Sequence, residues 1–386
     1  MGISILHKSK QKHLLKISPL KYQFHTKERN MSLTQFDGLE LPAAADFHVH
    51  LRDGAMMETV VPTIRQGGVN TVYVMPNLVP PITTVEAALA YKARLQAIDS
   101  TVKYLMTLYL HKDITPEVVR EAKKAGIVGI KSYPAGVTTN SSSGVLSYEP
   151  FYPVFEAMQE CGLVLNLHGE CPSDKNITIL NAEASFLPTL KSLHEKFPKL
   201  KIVLEHCTTA AAVETVKECG PNVVGTITAH HLFLTIDQWA DDPFSYCKPV
   251  AKLPSDRLSL LHTSLSRSPK FFLGTDSAPH DLSSKKGGVG KTAAGVFTQP
   301  YAVALVLTAW EQAIASGLIA EGDVSKEALL GFLGEFGREF YGLEGSGEEK
   351  IVLRRKGEVV KESFKGEGVE VVPFWRGKEI WSVEWK

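Results

Sequence analysis

Six residues carry the chemistry open to this sequence: His48, His50, Lys131, His168, His206 and Asp276. Each closes, or nearly closes, a short β-branched or apolar run: "DFHVH", "VGIK", "LNLH", "VLEH" and "LGTD". Side chains alternate along a strand, so His48 and His50, two apart, share one face. Four imidazoles, a lysine and a carboxylate gathered in one place make a metal-ligand inventory, and neutral imidazoles with a carboxylate suit Zn²⁺. A lone strand histidine is more often a hydrogen-bonded core residue than a ligand. Six such residues, all at the same end of their strands, reverse that balance.

The elements that must position them alternate along the chain. Strand runs are predicted at 46–50, 71–75, 104–110, 127–131, 163–167, 201–206, 223–228 and 271–275. Amphipathic stretches at 83–98, 115–125, 149–160, 181–197 and 209–219 separate several of them. Thr115-Pro116-Glu117 orders an N-cap, an N1 proline and an early acid, and Thr83-Thr84 precedes Glu86 in the same way. Eight strands joined by helices or long crossovers predict an α/β chain closed as a (β/α)8 TIM-type barrel, whose sites lie at the strands' carboxyl ends. A doubly wound sheet lacks its glycine-rich turn after the first strand. Beyond 345, alternating "EEKIVLRRKGEVV" and "GVEVVPFWRGKEIWSVEWK" predict short extended segments packed on the barrel.

Composition narrows the partners. The 386 residues are 44% hydrophobic with 42 basic and 42 acidic side chains, which supports a large core and gives no electrostatic reason to expect nucleic acid. No apolar run approaches the ~18 residues of a membrane span. Five cysteines without a CxxC pair suggest neither a disulfide framework nor a zinc ribbon, and fit a reducing compartment. Residues 1–30 hold seven bases and one acid, Glu28, leaving the 31–386 body with 35 bases against 41 acids. This basic stretch is read as a disordered extension, or as an upstream start with Met31 the usual initiator. Mitochondrial targeting is disfavoured because six of the seven bases are lysine.

Other stretches point elsewhere. Lys286–Thr292, "KGGVGKT", reads like the phosphate loop of partition-type ATPases, yet the ten residues before it contain no strand, so the context fails. His230 and His231 point to opposite faces of a strand end, and no ligand is assigned there. Cys171 and Cys207 lie beside ligand positions, with packing the simpler use. Trp375, Trp381 and Trp385 could serve a subunit contact or ordinary packing.

The motifs together resemble the dihydroorotases of the single-domain microbial and fungal type, in the amidohydrolase superfamily. "DFHVHLRDG", "VYVMPNLVPP", "GIKSYPAGVTTNSSSGV", "LHGE", "LEHCTT" and "GTDSAPH" carry the likeness from about Leu41 to about Leu343. "DSAPH" and "YPAGVTTNSS" separate it from hydantoinases, the nearest enzymatic alternative, which share the metal set. The resemblance implies two zinc ions bridged by hydroxide and by Lys131 carboxylated on its side-chain nitrogen. His48, His50 and Asp276 would hold one ion, and His168 and His206 the other. An ammonium cannot ligate zinc, whereas a carbamate is a bidentate anion. Asp276 would act as general base and then acid in opening dihydroorotate to N-carbamoyl-L-aspartate, reversibly, in pyrimidine synthesis. Arg52, Asn77 and His280 would hold the substrate carboxylate. Thr138 and Thr139 would cover it from a lid at 135–144, and the Ala294-Gly295 backbone would contact it. Cys247-Lys248 matches a segment that approaches substrate through its backbone, with Lys248 placing a cation near an anion. A cytoplasmic homodimer with a small-molecule substrate and no nucleic-acid or membrane partner completes the expectation.

Overall fold

All eight apolar runs become parallel strands. The computed structural model describes residues 32–287 and 292–386. The basic extension at 1–30 and the 288–291 portion of the glycine-rich stretch lie outside them. A short strand β1 (Glu40–Pro42) precedes β2 (Ala44–Val49), β3 (Val69–Val74), β4 (Lys103–Tyr109), β5 (Gly129–Ser132), β6 (Val164–His168), β7 (Ile202–Glu205), β8 (Val223–Ile227) and β9 (Phe271–Leu273). Strands β2 to β9 form one sheet in chain order, each parallel to the next. They are buried on both faces apart from Lys103, because helices cover the outside and side chains fill the inside.

No ladder joins β9 to β2. A single bridge, Val49 to Ser277, crosses that seam, with His50 N–H donating to Ser277 O at 2.9 Å. Asp46 adds the strongest tie. Its carboxylate accepts from Thr275 N (2.8 Å), Thr275 Oγ1 (2.6 Å) and His48 N (3.2 Å). The expected (β/α)8 barrel is therefore present, nearly closed by its ladders and completed by side chains at one seam.

The helices fall where the capping signals put them. Thr115 Oγ1 accepts from Val118 N at the start of Pro116–Lys124, and Thr84 Oγ1 from Ala87 N at the start of Val85–Ile98. Thr209 caps Ala210–Glu218 in the same manner, which places the chain leaving β7. The barrel floor is packed by Phe47, Tyr73, Leu105, Val203 and Phe272, with Tyr341 stacked 5.2 Å from Phe47. Solid packing there leaves the opposite end for a site.

The C-terminal segments are extended, as expected: β10 (Lys350–Val359), β11 (Phe364–Gly366), β12 (Val369–Val371) and β13 (Glu379–Trp385). β10 lies between β1 and β13, antiparallel to both. The three tryptophans pack within the chain. Trp381 is buried, Trp375 lies 4.5 Å from the Phe233 ring, and Trp385 stacks under the Arg65 guanidinium at 3.5 Å. The "KGGVGKT" stretch follows the one-turn helix Leu282–Lys285 rather than a strand, so the strand–loop–helix of a phosphate loop is absent among the described residues.

Candidate active site

Residues at the carboxyl ends of β2, β5, β6, β7 and β9 converge on one cavity. His48, His50, His168, His206 and Asp276 line it, and Lys131 is wholly buried on β5 beside it. The ligand atoms of His48, His50 and Asp276 lie within 4.8 Å of one another. Asp276 Oδ1 stands 3.0 Å from His50 Nε2 and 3.3 Å from His48 Nε2. The His168 and His206 rings follow, centroids 4.7 Å apart, and His206 in turn lies 5.1 Å from His48.

Three of the four imidazoles are aimed by a partner on their far nitrogen. His48 Nδ1 meets Glu205 Oε2 at 2.9 Å, His50 Nδ1 meets Asn77 Oδ1 at 2.7 Å, and His168 Nε2 meets Glu170 Oε2 at 2.8 Å. A histidine whose distal N–H is tied to an oxygen presents a lone pair on the other nitrogen. Glu205 is itself held by Asn166 Nδ2 and Thr226 Oγ1, both at 2.7 Å, and Asn166 by Tyr73 and Tyr341. Three buried atoms in the site have no hydrogen-bond partner: Lys131 Nζ, Tyr133 Oη and His206 Nδ1. Buried polar atoms are ordinarily satisfied, so orphaned donors amid imidazoles and carboxylates mark a place built for a further group. The donor set fits metal ions.

Electrostatics agree. Burial pushes the Lys131 ammonium down to about 8, while Glu205 and Asp276 pull it back up. Burial lowers His50 to about 4 and also depresses His168 and His206, keeping them in the neutral form that ligates. Burial favours the protonated acid at Asp276, but His48, His50 and His206 outweigh it and hold the carboxyl well below its usual range. Three site residues also occupy the left-handed region: Arg52 (φ 61°), His206 (φ 42°) and Asp276 (φ 48°). For side chains other than glycine such geometry is strained and concentrates at functional sites.

The remaining sequence-predicted residues divide. Arg52, Asn77, Thr138, Thr139, Ala294 and Gly295 line the cavity. Arg52 is positioned by Nε donating to Pro279 O at 2.9 Å and by Nη2 at 3.2 Å from His280 Nε2. His280 sits behind it, its Nε2 also 3.0 Å from Ala294 O, and is not among the described residues lining the cavity. Burial and the Arg52 charge lower His280 to about 2, so its ring is neutral. Asn77 spends its amide inside the protein, on His50 and, through Nδ2, on Thr139 O at 3.2 Å. The 135–144 loop is tied down again by Asn140 Nδ2 to Asn77 O (2.9 Å) and by Lys248 Nζ to Val137 O (2.8 Å). A Cβ at Gly295 would stand 2.4 Å from Ala278 O, so only glycine permits that approach.

Sequence reading passed over several residues. Tyr133, two past Lys131 and so on the same face, lines the cavity with its hydroxyl buried and unpartnered. Period two could have found it. Glu205 and Glu170 were legible only as neighbours of the candidate ligands His206 and His168. Lys285, immediately before the lysine-glycine stretch, donates to the carbonyls of Tyr246 (3.1 Å), Ala293 (2.9 Å) and Gly295 (2.7 Å), and so fixes the loop after β9.

Comparison with known proteins converges on this geometry. The amidohydrolase family model matches residues 84–254. A probable dihydroorotase of Schizosaccharomyces pombe is 53% identical over 352 residues, covering 90% of this chain and 99% of that one. The dihydroorotase of Saccharomyces cerevisiae is 45% identical, covering 90% and 98%. A crystal structure of dihydroorotase from Saccharomyces cerevisiae, in complex with 5-fluoroorotic acid, superposes with a TM-score of 0.84 at 43% identity, covering 91% of this chain and 99% of that one. An L-hydantoinase from Arthrobacter aurescens shares the fold at 18% identity and a TM-score of 0.72. The chain belongs to the dihydroorotase family of amidohydrolases and is a hydrolase acting on a cyclic amide.

Proposed function

We propose that the protein interconverts dihydroorotate and N-carbamoyl-L-aspartate in de novo pyrimidine (UMP) synthesis, using two zinc ions. His48, His50 and Asp276 would hold one, His168 and His206 the other, and carboxylated Lys131 would join them. The single observation that carries this reading is Lys131 Nζ, fully buried and unpartnered in a ring of metal-ligand side chains. When bound, a metal pair supplies an activated water and polarises the amide carbonyl.

The chain's own residues do the rest. Arg52 offers a charged fork to the substrate carboxylate, positioned by Pro279 and His280 behind it. Asp276, held ionised by the imidazoles around it, takes a proton at Oδ and returns it to the ring nitrogen as the amide opens. Thr138 and Thr139 close the cavity and limit water, and the Gly295 backbone approaches where no side chain would fit. A cytoplasmic homodimer belongs to the same reading, and sedimentation of the purified protein checks the oligomer.

The test is loss of dihydroorotate absorbance in the ultraviolet, with zinc and bicarbonate present and Lys131→Ala run in parallel. Turnover that collapses in the variant supports the proposal. Two bound metals without turnover would redirect the assignment to other cyclic amides.

A further inference from the structure

Outside the cavity a second group of ligand-type side chains is buried together: His230 and His231, just past β8, and Cys247. Their ligand atoms lie within 4.8 Å of one another. We propose that His230, His231 and Cys247, with the carbonyl oxygen of Pro249, form a binding site for one zinc-class divalent ion, separate from the His48 set.

The distances argue for a common centre. His231 Nε2 lies 3.7 Å from Cys247 Sγ and 3.1 Å from Pro249 O, and Cys247 Sγ lies 3.2 Å from the same oxygen. Around one tetrahedral zinc, with bonds of about 2.0–2.3 Å, neighbouring ligand atoms stand about 3.3–3.6 Å apart. Nitrogen, sulfur and oxygen already hold nearly that triangle. His231 Nδ1 lies 2.8 Å from Thr228 Oγ1, the distal hydrogen bond that fixes a ligating imidazole.

His230 supplies the independent observation. It is completely buried, its ring centroid is 4.4 Å from that of His231, and neither of its ring nitrogens has a hydrogen-bond partner. An imidazole so placed has no role in the fold's hydrogen bonding, and a fourth ligand position explains it. The sulfur suits a soft or borderline ion over Mg²⁺ or Ca²⁺. As the metal–sulfur bond forms, the Cys247 S–H bond breaks and its proton leaves to solvent, so one proton is released per ion bound. Lys252 and Lys285 are close enough to oppose a cation, and the thiolate charge offsets them.

Cadmium is the probe. The full-length protein, saturated with zinc and freed of excess, is titrated with Cd²⁺ while thiolate-to-cadmium absorption and bound metal are followed. No cysteine belongs to the His48 set, so exchange there produces no such band. The expected result is a thiolate band saturating at one equivalent, absent in Cys247→Ser and weakened about tenfold or more in affinity in His230→Gln. Circular dichroism verifies that each variant is folded, and His230→Gln carries the test if Cys247→Ser is not. No band in the parent protein would overturn the proposal. So would a band that survives in Cys247→Ser, or binding in His230→Gln as tight as in the parent.

Discussion

Glu205 Oε2 lies 2.9 Å from His48 Nδ1, in a buried chain that runs back through Asn166 to Tyr73 and Tyr341 on the barrel floor. The floor thus orients the His48 ring. Glu205→Gln should keep the fold and weaken metal affinity about 10- to 100-fold. Competition against a chelator measures this, and saturating metal should restore much of the activity. Unchanged affinity would remove Glu205 from any orienting role.

Lys131 should take up CO₂ at a lower pH than an ordinary lysine. Only the neutral amine attacks CO₂, and burial brings this ammonium down to about 8. Metal-free protein in ¹³C-bicarbonate should therefore gain a carbamate signal as pH rises through about 8, whereas exposed lysines stay charged until near 10.4. Lys131→Ala should lack the signal.

Arg52 should separate dihydroorotate from uncharged rings. Its guanidinium lines the cavity and a bidentate carboxylate contact is worth about 2–3 kcal/mol, so Arg52→Ala should raise KM for dihydroorotate roughly 30- to 150-fold. Hydrolysis of a neutral cyclic ureide, if detectable, should change little. An equal loss on both substrates would place Arg52 in the architecture of the site.

Lys248 ties the 135–144 loop by donating to Val137 O at 2.8 Å. Lys248→Met keeps the stem and removes the donor. A lost hydrogen bond from a charged group costs about 1.5–3 kcal/mol at most, and a partly buried one less, so KM should rise several-fold. Faster proteolysis within 135–144 would accompany it if the tie holds the loop.

Asp46 closes the barrel seam through Thr275 N, Thr275 Oγ1 and His48 N. Asp46→Ala leaves buried donors unpaired and should lower stability by about 2–4 kcal/mol in urea denaturation. Asp46→Asn, which retains an acceptor, should cost less. A loss within experimental error would show that the ladders alone close the barrel.

Much of this molecule was legible before its structure. The strands announced themselves as apolar runs because both faces of a parallel barrel strand are buried. Threonines 84, 115 and 209 stand at helix starts because the first turn's N–H groups need an acceptor. His48, His50, Lys131, His168, His206 and Asp276 stood out because polar groups ending apolar strands need a reason.

Other relationships have no sequence signature. Asn77 lines the cavity, and nothing in its motif announces that its amide also reaches His50 and Thr139. His280 backs Arg52 and meets Ala294 instead of lining the cavity. Lys285 stands just ahead of a stretch that imitates a phosphate loop, with nothing along the chain to mark its three carbonyl partners. Hydrogen-bond partners are chosen by proximity in space, across separations such as the 157 residues between His48 and Glu205. The order and type of residues by themselves determined an eight-stranded barrel, helix starts such as those at Thr84 and Thr115, and the imidazoles, lysine and carboxylate gathered at one end, since these rest on periodicity and local capping. Only the tertiary structure decided which nitrogen of His48, His50 and His168 is tied, what closes the seam, and that His230, His231 and Cys247 meet. Those depend on distances between segments that nothing along the chain encodes locally.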